Sequence, residues 1–75
     1  MKIKVNNYEA KDVLRIMREW TELTQKEFAE SIDLSAMSIY FYEAGRRHCL
    51  FDTFMKIADK HGITIILEKN SSKKN

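Results

Sequence analysis

Apolar positions recur along this chain at two different periods, and the change of period divides it into elements. Val13, Ile16, Met17 and Trp20 follow one another at three- and four-residue spacing, which puts them on one face of a helix. Asn6-Asn7 before them is a helix-starting signal, so the pattern predicts a first helix from about Tyr8 to Glu22. Leu23 ends its apolar face. In the LTQKEF that follows, Thr24 can cap a helix, Glu27 can bond back to the cap, and Leu23 and Phe28 stand at the positions that staple the entry. The second helix so begun carries Phe28, Ala29 and Ile32 inward and stops at Asp33-Leu34 after about two turns.

The same grammar repeats at once. Ser35 can cap a third helix, with Leu34 and Ile39 at the staple positions around it. At about 100° per residue, Ser35, Ser38, Ile39 and Tyr42 fall on one side of that helix, and Ala36, Met37, Tyr40, Phe41 and Ala44 on the other. The second set, which faces away from the core, is apolar, and that is unusual for a surface helix. Gly45 supplies the left-handed residue that closes it. Phe54, Ile57, Ala58 and His61 form the stripe of a fourth helix, roughly Phe51 to His61, with Gly62 behind it. His61 is expected to close the inner face of this helix rather than to hold a ligand.

At the two ends the period drops to two. Ile63 to Leu67 is β-branched and apolar, and Ile3 and Val5 alternate with lysine and asparagine, so both ends read as short strands. A lone two-stranded sheet is marginal in water. An apolar terminal strand seeks a partner, and pairing across a homodimer is the natural remedy, with pairing inside the chain as the other arrangement. The expected fold is therefore mainly α, a compact bundle of four short helices with terminal strands, forming one domain over 1–68.

Composition narrows the function. With 75 residues there is room for one small core, and 44% apolar with 32% charged residues is the balance of a folded globule. No apolar run reaches membrane-spanning length, MKIKVNN has no signal-peptide stretch, and Cys49 is the single cysteine. A reducing, cytoplasmic setting is expected, with no metal and no cofactor. The net charge is +2, but Lys69, Lys73 and Lys74 lie in the final EKNSSKKN, whose residues 69–75 read as a disordered basic tail. Overall charge is thus no argument for a nucleic-acid partner, and only the local placement of Arg and Lys can be one. His48 and Cys49 are adjacent and unaccompanied by a phosphate loop, an acid pair or metal-ligand spacing, so no catalytic residue is assigned.

MREWTELTQKEFAESIDLSAMSIYFYEAGRR resembles the lambda-repressor and Cro-like helix-turn-helix family, also called the xenobiotic response element family, over about Val13 to Ile63. Gln25 opens the second helix, and Ala29 stands where the two helices cross too closely for a larger side chain. Phe28, Ile32, Leu34, Ile39 and Tyr42 occupy the family's buried positions. The resemblance implies a helix-turn-helix over about 24–44 and a structural ion pair between Arg18 of the first helix and Glu43 at the end of the third. It also implies double-stranded DNA as partner, with the third helix in the major groove. Phosphate contacts would then come from Gln25, Lys26, Arg46 and Arg47, and base or groove contacts from Ser35, Ala36, Met37, Tyr40 and Phe41. The sequence departs from the family at Asp33, where a glycine is usual, and at Ala36 and Phe41, where polar or basic side chains are common.

Three uses of the apolar outer face of the third helix follow. It is covered by the chain's own terminal strands or a dimer mate, it enters an A·T-rich groove whose methyl groups reward Ala, Met and Phe, or it binds a protein. Helix-turn-helix packing leaves this face open and Arg46 and Arg47 rim it, which favours DNA. Sequence-selective binding as a small homodimeric transcriptional regulator, acting as a repressor, is the resulting expectation. A protein-interaction module is the alternative, since the last strand is similar to that of antitoxin-type members of the family, which makes a toxin a further candidate partner.

Overall fold

A computed structural model of the chain describes residues 1–69; the expected tail lies, apart from Lys69, outside them. The elements run β1 (Lys2–Lys4), a 3-10 turn (Val5–Asn7), α1 (Ala10–Thr21), α2 (Gln25–Ser31), α3 (Ala36–Glu43), α4 (Phe51–His61) and β2 (Thr64–Ile66). The fold is mainly α, as the apolar periods predict. Its core is built from the inward faces of all four helices, with Leu14, Met17, Phe28, Ile32, Ile39 and Ile57 wholly enclosed and Ile3 and Ile63 sealing the strand side.

The short helices hold because their ends are satisfied. Thr24 Oγ1 accepts from the Glu27 backbone N–H at 3.1 Å while Glu27 Oε1 accepts from the Thr24 N–H at 3.0 Å, a complete capping box. The Thr24 backbone N–H, with a smaller contribution from the Thr24 hydroxyl, lowers the Glu27 carboxyl below its usual pKa. Ser35 Oγ caps α3 by accepting from Ser38 N–H at 3.1 Å. Between α2 and α3 the chain reverses at Asp33, which takes the left-handed conformation at φ 60° in place of a glycine. Leu34 N–H then returns to Ala29 C=O at 2.8 Å and Asp33 N–H to Glu30 C=O at 3.3 Å, the paired bonds of a Schellman closure. Gly45, at φ 77°, closes α3 in the same way, with Arg46 N–H on Phe41 C=O at 2.9 Å and Gly45 N–H on Tyr42 C=O at 3.1 Å.

Two expectations need correction. The Asn6-Asn7 signal does not start α1, which begins at Ala10 behind Glu9 with no side-chain cap. Asn6 instead binds the far end of the chain: its Nδ2 donates to Glu68 C=O at 2.8 Å and its Oδ1 accepts from Glu68 N–H at 3.2 Å. That two-point clamp explains the second correction. β1 and β2 pair with one another in parallel inside one chain, Ile3 opposite Ile65, rather than across a homodimer. The pair is not a lone ribbon, because Ile3 and Ile63 are buried in the helical core and the Asn6 amide continues the ladder where strand hydrogen bonds end.

His61 lies on the inner side of α4, stacked on Phe28 with ring centroids 5.4 Å apart. Its Nε2 is 2.9 Å from Ser31 Oγ. The Ser31 hydroxyl spends its hydrogen on Phe28 C=O at 2.6 Å, so it accepts from the histidine and fixes the Nε2–H tautomer. Burial, aided by the Lys60 charge, lowers the His61 pKa. The unfolded chain therefore binds this proton more readily than the folded one. Stability from this source is full above about pH 6.5 and is lost as pH falls through that value towards the lowered folded pKa. Melting midpoints followed by circular dichroism should drop more steeply between about pH 7 and pH 5 for the wild type than for His61→Gln; parallel curves would exclude the linkage.

Candidate nucleic-acid interface

α3 is held at both ends before its outer face comes into play. At its C-terminus, Arg18 of α1 makes a two-pronged bond to Glu43, Nε to Oε2 at 2.6 Å and Nη2 to Oε1 at 2.9 Å. The two side chains are only 19% and 9% exposed. The hydrogen bonds to Glu43 raise the Arg18 pKa against the opposing effect of burial. Gln25, the first residue of α2, adds its amide to Glu43 Oε1 at 3.4 Å, so one carboxylate joins three helices. At the other end Ser35 and Ser38 hydroxyls lie 3.0 Å apart and bond each other. No buried side-chain nitrogen or oxygen among the described residues lacks a partner.

With its ends fixed and Ile39 buried, α3 turns Met37 and Tyr40 outward, 60% and 48% exposed. Ala36 beside them is half-buried and Ala44 is exposed. The outer ridge is thus not covered by the terminal strands. Phe41 behaves differently from its neighbours. It is half-buried, its ring lies against Tyr40 at 5.8 Å, and the Arg47 guanidinium sits over it, 5.1 Å from the ring centroid, in cation–π contact. Arg47 is thereby held at the edge of the ridge, and the aromatic face is occupied.

Basic residues stand exposed on the segments that flank α3 in the chain. Lys26 is exposed in the first turn of α2, and Arg46 and Arg47 are exposed just after the turn that closes α3. The sequence reading missed Lys11. Its aliphatic chain lies so close over Gly45 that a Cβ there would stand 3.2 Å from Lys11 Cδ, and it lines, with Tyr42, Arg47 and His48, a cleft of about 390 Å³. No sequence signal links residues so far apart; only the packing of α1 against the α3 exit does. Among the described residues no three His, Cys, Asp or Glu side chains gather to hold a metal ion. Cys49 is half-buried, its thiol pushed up to about 11 by burial, a value at which it stays protonated and weakly nucleophilic.

A helix-turn-helix family model matches residues 14–67, from Leu14 within α1 through α2, α3, α4 and β2. The chain belongs to the lambda-repressor-like helix-turn-helix family. Its members are DNA-binding regulators, and α2, the Asp33 turn and α3 are the helix-turn-helix unit of this one. No curated protein sequence and no solved structure matches the chain significantly. Among the described residues no helix is long and apolar enough to cross a membrane.

The geometry makes the Arg18–Glu43 pair a determinant of how this helix-turn-helix presents α3. Removing one partner leaves the other charge in a largely enclosed site, so Arg18→Ala should cost about 3 kcal/mol and lower the melting midpoint by roughly 10 °C or more for a domain of this size. Arg18→Lys, which keeps the charge but loses the planar fork, should fall between the two. Thermal unfolding by circular dichroism measures both; an unchanged midpoint for Arg18→Ala would remove the pair from the architecture.

Proposed function

We propose that the protein binds double-stranded DNA sequence-selectively as a small transcriptional repressor, with α3 seated in the major groove. The observation that carries this reading is the exposed α3 ridge, Met37 and Tyr40 foremost, with Arg47 held over Phe41 and with Lys26 and Arg46 exposed at the start of α2 and just past α3. A rod of this width fits the groove, and cations at its two margins meet the flanking phosphate chains. Lys26, Arg46 and Arg47 contact phosphate through their side chains. Gln25 already gives its side-chain amide to Glu43, so its phosphate contact is through the backbone N–H. Ala36, Met37 and Tyr40 face the base edges, Ser35 stands at the groove entrance, and Phe41 serves as the platform that holds Arg47.

The active species is a homodimer in the cytoplasm, with two α3 helices about 34 Å apart on a short inverted repeat. Repression follows from occupying promoter DNA.

A second reading, a protein-interaction module that binds a toxin-type or other partner, is favoured by one observation. Leu50 and Phe51, at the start of α4, are 69% and 67% exposed, and exposed large apolar groups are the material of protein interfaces. Salt separates the two. Binding to a labelled random duplex pool, followed by fluorescence anisotropy, should weaken with a log–log salt slope of about −0.9 per phosphate neutralised. The Arg46→Ala, Arg47→Ala double variant should lose about two such contacts from the slope. Absence of binding by the wild type at low salt would overturn the DNA reading; equal slopes would remove these arginines from it.

A further inference from the structure

Among the described residues, the exposed ridge of α3 offers bases almost no group that distinguishes a hydrogen-bond donor from an acceptor. Its residues are Ala, Met, Ser, Ile, Tyr, Phe, Tyr and Glu. Glu43 is consumed by Arg18 and Gln25. The Ser35 and Ser38 hydroxyls bond one another, and Ser35 also caps the helix. Phe41 lies under Arg47. What remains to meet the floor of a major groove is the Ala36 methyl, the Met37 thioether chain, the Tyr40 ring with its hydroxyl and, at the helix start, the one O–H of the serine pair not spent on the other, which like that of Tyr40 both donates and accepts.

Methyl and thioether groups are rewarded by apolar partners, and the one apolar group on the major-groove edge of ordinary DNA is the C5 methyl of thymine. The hydroxyl of Tyr40 donates and accepts equally well, so it satisfies the O4 acceptor of thymine and the N4 donor of cytosine alike. Nothing on the ridge therefore penalises cytosine for its amino group. Unmodified cytosine loses only because it lacks the methyl.

We infer that α3 is a reader of pyrimidine C5 methyl groups and that duplex DNA carrying 5-methylcytosine is a ligand for it, methylated cytosine standing in for thymine. Binding is thereby responsive to cytosine methylation of the target. The inference rests on the DNA-binding reading above and specifies which chemical group that site recognises.

One mixed-sequence duplex, synthesised in four forms, tests it: unmodified, with uracil in place of thymine, with 5-methylcytosine in place of cytosine, and with both replacements. Each contacted methyl is expected to change affinity about fourfold. The uracil form should bind more weakly than the unmodified one, the methylcytosine form more tightly, and the doubly replaced form should recover what uracil lost. In Met37→Ala, Tyr40→Ala, whose side chains are exposed and whose removal spares the core, the four affinities should converge. Equal wild-type affinities for all four forms would overturn the inference and leave DNA binding standing. A double variant that discriminates as well as the wild type would overturn its assignment to α3. Failure of the wild type to bind any form at low salt would overturn the DNA reading and this inference with it.

Discussion

The carboxylate of Glu43 is the point on which the arrangement of the helix-turn-helix turns. It stands at the last residue of α3 and accepts from Arg18 on α1 and from Gln25 at the start of α2. A helix of eight residues has little stability of its own, and its direction is set by what ties its ends. Ser35 ties the beginning through the cap, and Glu43 ties the end to two other helices. The apolar packing of Ile39 against the core supplies most of the driving force, but packing alone tolerates sliding and rotation. The fork of Arg18 does not, because two hydrogen bonds to one planar group fix both distance and orientation.

From this constraint the outward face follows. Once Ile39 is inside and Glu43 is clamped, Met37 and Tyr40 must point to solvent, and the turn at Gly45 must release Arg46 and Arg47 next to them. Phe41 then takes a role that helical periodicity alone does not assign to it, as a shelf for the Arg47 guanidinium. The outer face is therefore a narrow apolar ridge with charge held at its margins. Such a surface suits a partner that presents a polyanionic border around a weakly polar floor.

Most of the fold was legible in the sequence because short helices advertise their ends. Thr24 with Glu27, Ser35 with Ser38, and the glycines at 45 and 62 mark boundaries through bonds made within a few residues. Asp33 took the place of the usual turn glycine at φ 60°. What escaped the sequence reading depends on distant residues. Asn6-Asn7 carried the composition of a helix start, yet Asn6 gains more by bonding Glu68, 62 positions away, and no local pattern announces such a partner. Leu14, wholly buried, sits at the edge of the predicted stripe and is drawn in by neighbours from other helices. Lys11 joins the surface beside Arg47 for the same reason. The strands illustrate the point once more: their residues are legible, and the choice between pairing within and across chains is not, because it depends on Ile3 and Ile63 fitting a core that only the assembled helices create.

The central claim is that the α3 ridge and its basic margins, and no other surface, meet the nucleic acid. Amide chemical-shift changes on titrating the isotopically labelled protein with a duplex, followed by nuclear magnetic resonance, test it most directly. The account predicts that the largest changes fall on Gln25, Lys26, Ala36, Met37, Tyr40, Arg46 and Arg47, with β1, β2 and the Leu50–Met55 segment nearly silent. Changes concentrated on Leu50, Phe51 and the strands, with α3 unmoved, would contradict it.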